Sequence, residues 1–88
     1  MSIKIEYHRH FIKAYHKLSK KEQSATDNRI RLFSKDPFAS KLENHALSGK
    51  YKEYRSINIT GDYRAVYKEI GKQEVILVIL GLHSHLYG

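Results

Sequence analysis

The first hydrophobic positions of the chain alternate with polar ones and then change to a helical spacing. Ile3, Ile5 and Tyr7 have polar neighbours on both sides, which is typical of a strand with one buried face. Apolar residues next recur at intervals of three and four, which places them on one face of a first helix. Those residues are Phe11, Ile12, Tyr15 and Leu18.

A second helix is predicted from its end signals. Ser19 and Glu22 have the capping-box spacing, in which each side chain accepts a hydrogen bond from a free backbone N–H of the first turn. The helix should end near Lys35, because Asp36 precedes the only proline and is disfavoured in helical geometry. One side of this helix carries Ala25, Arg29, Leu32 and Phe33.

The second half of the chain predicts three strands joined by short turns. Residues 54–60 alternate, residues 63–68 are rich in aromatic and branched side chains, and residues 75–80 are uniformly apolar. A strand that is apolar on both faces is usually central in its sheet. We therefore expect an α+β fold in the order β-α-α-β-β-β, with a helical hairpin packed on a small, mainly antiparallel sheet.

Length and composition limit the class of protein. Eighty-eight residues suit a single domain spanning 1–88, and the absence of cysteine excludes a disulfide framework and a thiolate zinc site. No export signal is visible, and the longest apolar run is too short to cross a bilayer, so a cytoplasmic protein without a membrane partner is expected. The net charge of +7 favours a polyanionic partner, either nucleic acid or an acidic protein.

The candidate chemistry lies mainly in the second half. His45 is expected in the loop before the predicted meander, Asp62 lies in its first turn and His83 follows its last strand, so the topology can bring the three together at one sheet edge. His83 and His85 are two imidazoles with no nearby carboxylate, which does not predict a metal site. Phosphate-binding glycine loops and serine or cysteine nucleophile motifs are absent from the sequence, and no cofactor is expected.

These residues fit cleavage of RNA, in which the substrate's own 2′-hydroxyl is the nucleophile. The protein then has to supply a base, an acid and cations around the phosphate, and histidine suits both proton transfers. Tyrosines can stack on unpaired bases. The candidate phosphate contacts are Lys50, Lys52, Arg55 and Arg64, and the candidate stacking residues are Tyr63 and Tyr87.

Three motifs in the second half resemble the RelE/ParE superfamily of toxins from bacterial toxin–antitoxin pairs, and most closely its YafQ branch. They are H-x-L-x-G-x-[WY]-x-x-[YW]-R at 45–55, G-D-Y-R-x-x-Y at 61–67 and G-x-H-x-x-L-[FY]-G at 81–88. Members of this branch are mRNA interferases that cut messages in the ribosomal A site without a metal. The resemblance implies a cognate acidic antitoxin, mRNA and the 70S ribosome as partners.

The resemblance also implies roles for individual residues. His45, Asp62 and His83 stand at functional positions of the branch, with His83 expected as the main proton-transfer residue. Arg64 stands where RelE-type members contact phosphate. Tyr87 stands at the C-terminal aromatic position, and Tyr63 at a position that is often tryptophan.

Two departures keep other functions open. Asn58 and Ile79 stand where some members have a histidine and an arginine, and Arg64 is the candidate to supply the missing positive charge. The first alternative is a ParE-like inhibitor of DNA gyrase that does not cleave RNA. The second is an inactive toxin homologue that acts only with its antitoxin.

Overall fold

The computed structural model describes residues 2–82, which form two helices and five strands. The helices are α1 (Arg9–His16) and α2 (Lys20–Lys35). The strands are β1 (Lys4–Tyr7), β2 (His45–Ala46), β3 (Tyr54–Thr60), β4 (Tyr63–Gly71) and β5 (Glu74–Leu82). Short 3-10 turns at Ser40–Leu42 and Gly49–Tyr51 flank β2.

The strands form one sheet in the order β1-β5-β4-β3-β2. β1 pairs with β5 in parallel, and the other neighbours are antiparallel. The predicted α+β arrangement is confirmed, and the apolar strand β5 lies inside the sheet with a neighbour on each side. The prediction that His45 lies in a loop was wrong, because His45 pairs with Ser56 in the edge strand β2.

Both helices form where their signals predict, with one difference in the packed face. Ser19 Oγ accepts from the Glu22 backbone N–H at 3.1 Å, and Glu22 Oε1 accepts from the Ser19 N–H at 3.0 Å, which confirms the capping box. Phe11 is buried, but Ile12 is 42% exposed, so the prediction that it packs inward was wrong. Neither helix within residues 2–82 is long and apolar enough to cross a bilayer.

The core lies between the helices and one face of the sheet. Phe11 and Phe33 from the helices meet the sheet residues of that face, and the Phe33 and Tyr67 rings lie 4.7 Å apart. The sheet and loop members are Leu42, Ile57, Ile59, Ala65, Tyr67, Val75, Leu77 and Leu80. The opposite face of the sheet, which we call the helix-free face, is therefore left for other side chains.

A β-bulge and a tight turn in the β3–β4 hairpin determine which face of the sheet each side chain lies on. Asn58 pairs with Arg64 and Thr60 with Tyr63, so β3 carries one extra residue, Ile59, in a β-bulge. Gly61 begins the two-residue loop with φ +50°, the position at which a type II′ turn favours glycine. The bulge keeps Ile59 in the core while Asn58 and Arg64 stay opposite each other on the helix-free face.

Asn44 fixes the segment that precedes β2. Its Nδ2 donates to the Pro37 carbonyl at 2.8 Å and to Tyr67 Oη at 2.9 Å, and its Oδ1 accepts from Arg55 Nε at 2.8 Å. Burial raises the pKa of Tyr67 above 10.0, although its hydrogen bond with Asn44 lowers it. The Tyr67 phenol therefore stays neutral near pH 7. The Asn44 amide links the loop at Pro37 to the strands β3 and β4.

Replacing Asn44 should weaken the fold more than replacing an exposed asparagine. Asn44→Ala removes three hydrogen bonds of about 1 kcal/mol each, so we expect the free energy of unfolding to fall by roughly 2–3 kcal/mol. Urea denaturation measures this change. Asn28→Ala, on the exposed side of α2, is the control, and equal losses in the two variants would contradict the role given to Asn44.

Candidate functional site

Two adjacent rows of side chains on the helix-free face contain the candidate residues. Because directly opposed residues in neighbouring strands share a face, the pairing defines each row. The first row runs across β2, β3, β4 and β5 through His45, Ser56, Val66 and Ile79. The second row runs across β3, β4 and β5 through Asn58, Arg64 and Gly81. Since each strand advances two residues between the rows, they lie side by side and bring His45, Asn58 and Arg64 to one surface.

Glu43 contacts both the imidazole and the guanidinium of this surface. Its backbone carbonyl lies 2.8 Å from His45 Nδ1, and its carboxylate accepts from Arg64 Nη1 at 3.3 Å. Glu43 itself has a left-handed backbone with φ 46°, a conformation that costs a non-glycine residue on the order of 1–2 kcal/mol. Two functional groups from different strands are therefore held by one strained residue.

The contact with Glu43 fixes the protonation pattern of His45. A backbone carbonyl can only accept, so Nδ1 must carry the hydrogen. In the neutral ring the lone pair then lies on Nε2, and the side chain is exposed. His45 is thus arranged as a proton acceptor whose basic nitrogen faces away from its anchoring bond.

Arg64 is mostly buried but only partly engaged. Its side chain is 20% exposed, whereas that of Glu43 is 63% exposed. An ion pair with so exposed a partner contributes little to stability and exchanges readily with another anion. Arg64 Nε is buried and has no hydrogen-bond partner in the described part of the chain. The guanidinium therefore retains an unused donor toward a ligand.

Ser56 and Asn58 add two more polar atoms without partners. Ser56 Oγ and Asn58 Oδ1 are both buried, and residues 2–82 provide neither with a hydrogen bond. Buried polar atoms are rarely left unpaired in proteins. Together with Arg64 Nε, these atoms lie on neighbouring positions of the same face, so the two rows contain a cluster of unused donors and acceptors.

The predicted residues Asp62 and Tyr63 lie beside this surface rather than on it. Asp62 is exposed in the hairpin turn and lines a groove with the start of α2. Tyr63 packs against the core and so points to the helix side, opposite to Arg64. Leu82, the last described residue, pairs with Tyr63, so β5 ends beside the Asp62 turn.

The other predicted cations do not gather around Arg64. Arg55 lies opposite Tyr67 on the core side, bonded to Asn44 and 5.4 Å from the ring of Phe38, so it serves packing there. Lys50 and Lys52 are exposed in the connection between β2 and β3. Only Arg64 of the four predicted phosphate contacts therefore lies on the helix-free face among the described residues.

Some predicted residues lie outside the described range, and two residues that contact the candidate site were not predicted. His83, His85 and Tyr87 fall beyond residue 82. Sequence reasoning missed Glu43 and Asn44, although their place directly before His45 in a motif segment was a usable signal. Within residues 2–82, no three histidine, aspartate or glutamate side chains come together as a metal-binding group.

The sequence matches the family described as bacterial toxin of type II toxin–antitoxin system, YafQ, over residues 3–88. The chain belongs to this family, and it is therefore a toxin of a type II toxin–antitoxin system. A comparison with curated protein sequences finds no match.

Solved structures agree with this assignment. YafQ from Escherichia coli is 24% identical with a TM-score of 0.77, covering 98% of this chain and 99% of its own. A copper-bound mutant toxin from Helicobacter pylori is 28% identical with a TM-score of 0.67, covering 96% and 98%. The E. coli DinJ–YafQ toxin–antitoxin complex contains a chain that is 24% identical with a TM-score of 0.75, and coverage is 100% for both. The fold is that of these toxins.

Removing the carboxylate of Glu43 should make Arg64 more available to RNA. We expect Glu43→Gln to tighten binding of a short single-stranded RNA roughly two- to fivefold, because the competing ion pair is lost. Fluorescence anisotropy measures the dissociation constant. Glu53→Gln is the matched control, since it removes the same charge from an exposed site. Equal changes in both variants would show that Glu43 does not restrain Arg64.

Proposed function

We propose that this toxin is a ribosome-dependent, metal-independent endoribonuclease that cleaves mRNA by attack of a substrate 2′-hydroxyl. The proposal is supported above all by the shared contacts of Glu43, which hold a proton-accepting His45 and a cationic Arg64 on one sheet face. Proton transfer and charge stabilisation are the two tasks that this reaction requires. The family resemblance supports mRNA in the ribosomal A site as the substrate.

The reaction can be written with the groups that the site offers. A base removes the proton of the 2′-hydroxyl while its oxygen bonds to phosphorus. The P–O5′ bond breaks, and an acid protonates the departing 5′-oxygen. The products are a 2′,3′-cyclic phosphate and a 5′-hydroxyl. His45 is suited to the base role, because its Nε2 carries the free lone pair. Arg64 would stabilise the charge on the phosphate oxygens.

The remaining roles rest on the resemblance. We assign the acid role to His83, and recognition of a base to Tyr87. Asp62 lies in the turn beside the end of β5 and would tune the proton transfer there. Lys50 and Lys52 are exposed and would contact phosphates farther along the RNA. Tyr63 and Arg55 instead face the core side of the sheet.

The charge of the chain fits the proposed partners. A net charge of +7 attracts the ribosome and its message, and it also favours an acidic antitoxin. A related structure is the complex of YafQ with DinJ, its antitoxin. We propose that this chain likewise binds a cognate acidic antitoxin, and that it acts in the cytoplasm.

Programmed ribosomes test the proposal directly. Purified protein is added to 70S ribosomes that carry a defined message, and primer extension locates any cut. We expect cuts in the A-site codon and a 2′,3′-cyclic phosphate at the 3′ end of the upstream fragment. An intact message would contradict the nuclease proposal. Inhibition of gyrase in a supercoiling assay would then identify a ParE-like inhibitor, and no effect in either assay would indicate a homologue that acts only with its antitoxin.

Arg64 should matter for cleavage but not for folding. We expect Arg64→Ala to reduce the cleavage rate at least several-fold, since it removes the guanidinium that would stabilise the phosphate. Its thermal midpoint should stay close to that of the wild type, because the ion pair with Glu43 is largely exposed.

A matched variant separates a local effect from loss of charge. Arg31→Ala removes the same charge from the exposed side of α2, where Arg31 donates a hydrogen bond to Asn28, and should leave the rate within about twofold of wild type. Equal rates for Arg64→Ala and Arg31→Ala would remove Arg64 from the mechanism.

A further inference from the structure

We infer that Asn58 reads the ribose of the substrate, accepting a hydrogen bond from a 2′-hydroxyl while Arg64 donates to the neighbouring phosphate. The inference rests on the proposed function and adds a residue that distinguishes RNA from DNA. It starts from three polar atoms of the helix-free face that have no hydrogen-bond partner among residues 2–82, Ser56 Oγ, Asn58 Oδ1 and Arg64 Nε.

The cluster contains complementary types of atom. Asn58 Oδ1 can only accept, Arg64 Nε–H can only donate, and the Ser56 hydroxyl can do both. A bare anion offers acceptors alone, so it would satisfy Arg64 and leave the Asn58 oxygen unpaired. A ribose phosphate offers both kinds of group, because the 2′-hydroxyl donates and the phosphate oxygens accept. The set therefore fits a ribonucleotide better than a phosphate.

The spacing of these groups suits adjacent parts of one nucleotide. Asn58 and Arg64 are directly opposed in β3 and β4, where the Cβ atoms of such a pair lie roughly 4.5–5.5 Å apart. Ser56 lies two residues along β3 on the same face, and Gly81 opposite Arg64 adds no side chain. A 2′-hydroxyl and the phosphate that follows it are separated by a similar short distance.

Access to the cluster involves the Glu43 contact. The three atoms are shielded from solvent, and Arg64 is the long side chain directly opposite Asn58. RNA phosphate would replace the Glu43 carboxylate at Arg64, which moves the guanidinium and opens the Asn58 oxygen. His45, the proposed base, is held by the same Glu43, so the ribose that Asn58 binds lies beside the nucleotide whose 2′-hydroxyl proton is removed.

An uncharged amide cannot itself remove a proton near neutral pH. Asn58 is therefore a positioning residue. The 2′-hydroxyl that donates its single hydrogen to Asn58 belongs to a nucleotide next to the one that is cleaved, and the attacking 2′-hydroxyl keeps its own proton for His45. An Asn58 that contacts no ligand predicts something different. A buried acceptor without a partner lowers stability, so replacing Asn58 with leucine of similar size should stabilise the fold and change nothing else.

The test compares RNA with DNA of the same sequence, with deoxyuridine in place of thymidine. Fluorescence anisotropy gives both dissociation constants, and a gel confirms that the RNA stays intact. We expect the wild type to bind RNA more tightly than DNA. In Asn58→Leu the ratio of the two dissociation constants should fall roughly three- to tenfold, while the affinity for DNA stays within about twofold of the wild-type value. Arg64→Ala should weaken both ligands together. Asn58→His, which restores a ring nitrogen able to accept, should recover the preference.

Each outcome decides a separate point. An unchanged RNA preference in Asn58→Leu, or none in the wild type, would overturn the inference. The thermal midpoint of Asn58→Leu should equal or exceed that of wild type, and a clear fall would show that the Asn58 oxygen has a structural partner. A wild type that prefers RNA through Asn58 but leaves messages intact on ribosomes would refute the nuclease proposal and not the ribose contact.

Discussion

The contacts of Glu43 with the His45 imidazole and the Arg64 guanidinium set the arrangement of the candidate site. The two side chains come from strands that are separated by β3, so direct strand pairing does not link the imidazole to the guanidinium. Glu43 does so from a left-handed backbone, and Asn44 holds the same segment by hydrogen bonds to Pro37, Tyr67 and Arg55. The strained residue and its anchor are neighbours, which explains how the strain is tolerated.

The sheet divides its two faces between stability and chemistry. One face buries Ile57, Ile59, Ala65 and Leu77 against the helices, and the other carries polar atoms of β3 and β4 that the described part of the chain leaves without a partner. Those atoms lower stability in the free protein, which is a common compromise at binding sites. A domain of this size buries only a modest core, so the cost of such atoms is a substantial fraction of its stability. The ligand proposed above would offset this cost.

The sequence predicted the elements well because their signals are local. The capping box at Ser19, the alternation in β3 and the apolar run of β5 each specify one element without reference to the rest of the chain. The two-residue strand β2 is too short for any period to show. The contacts of Glu43 could not be predicted, and neither could the packing of Arg55 and Tyr63 on the core side of the sheet. Both depend on which strands pair and in what register.

An NMR titration of the labelled protein with a short single-stranded RNA tests the central claim most directly, because it asks which face binds. The account predicts that the largest amide shifts fall on both rows of the helix-free face, with Ser56, Asn58 and Arg64 among them, and that the Glu43 signal moves as its ion pair is replaced. Shifts confined to α1 and α2, with β3 and β4 unmoved, would contradict it.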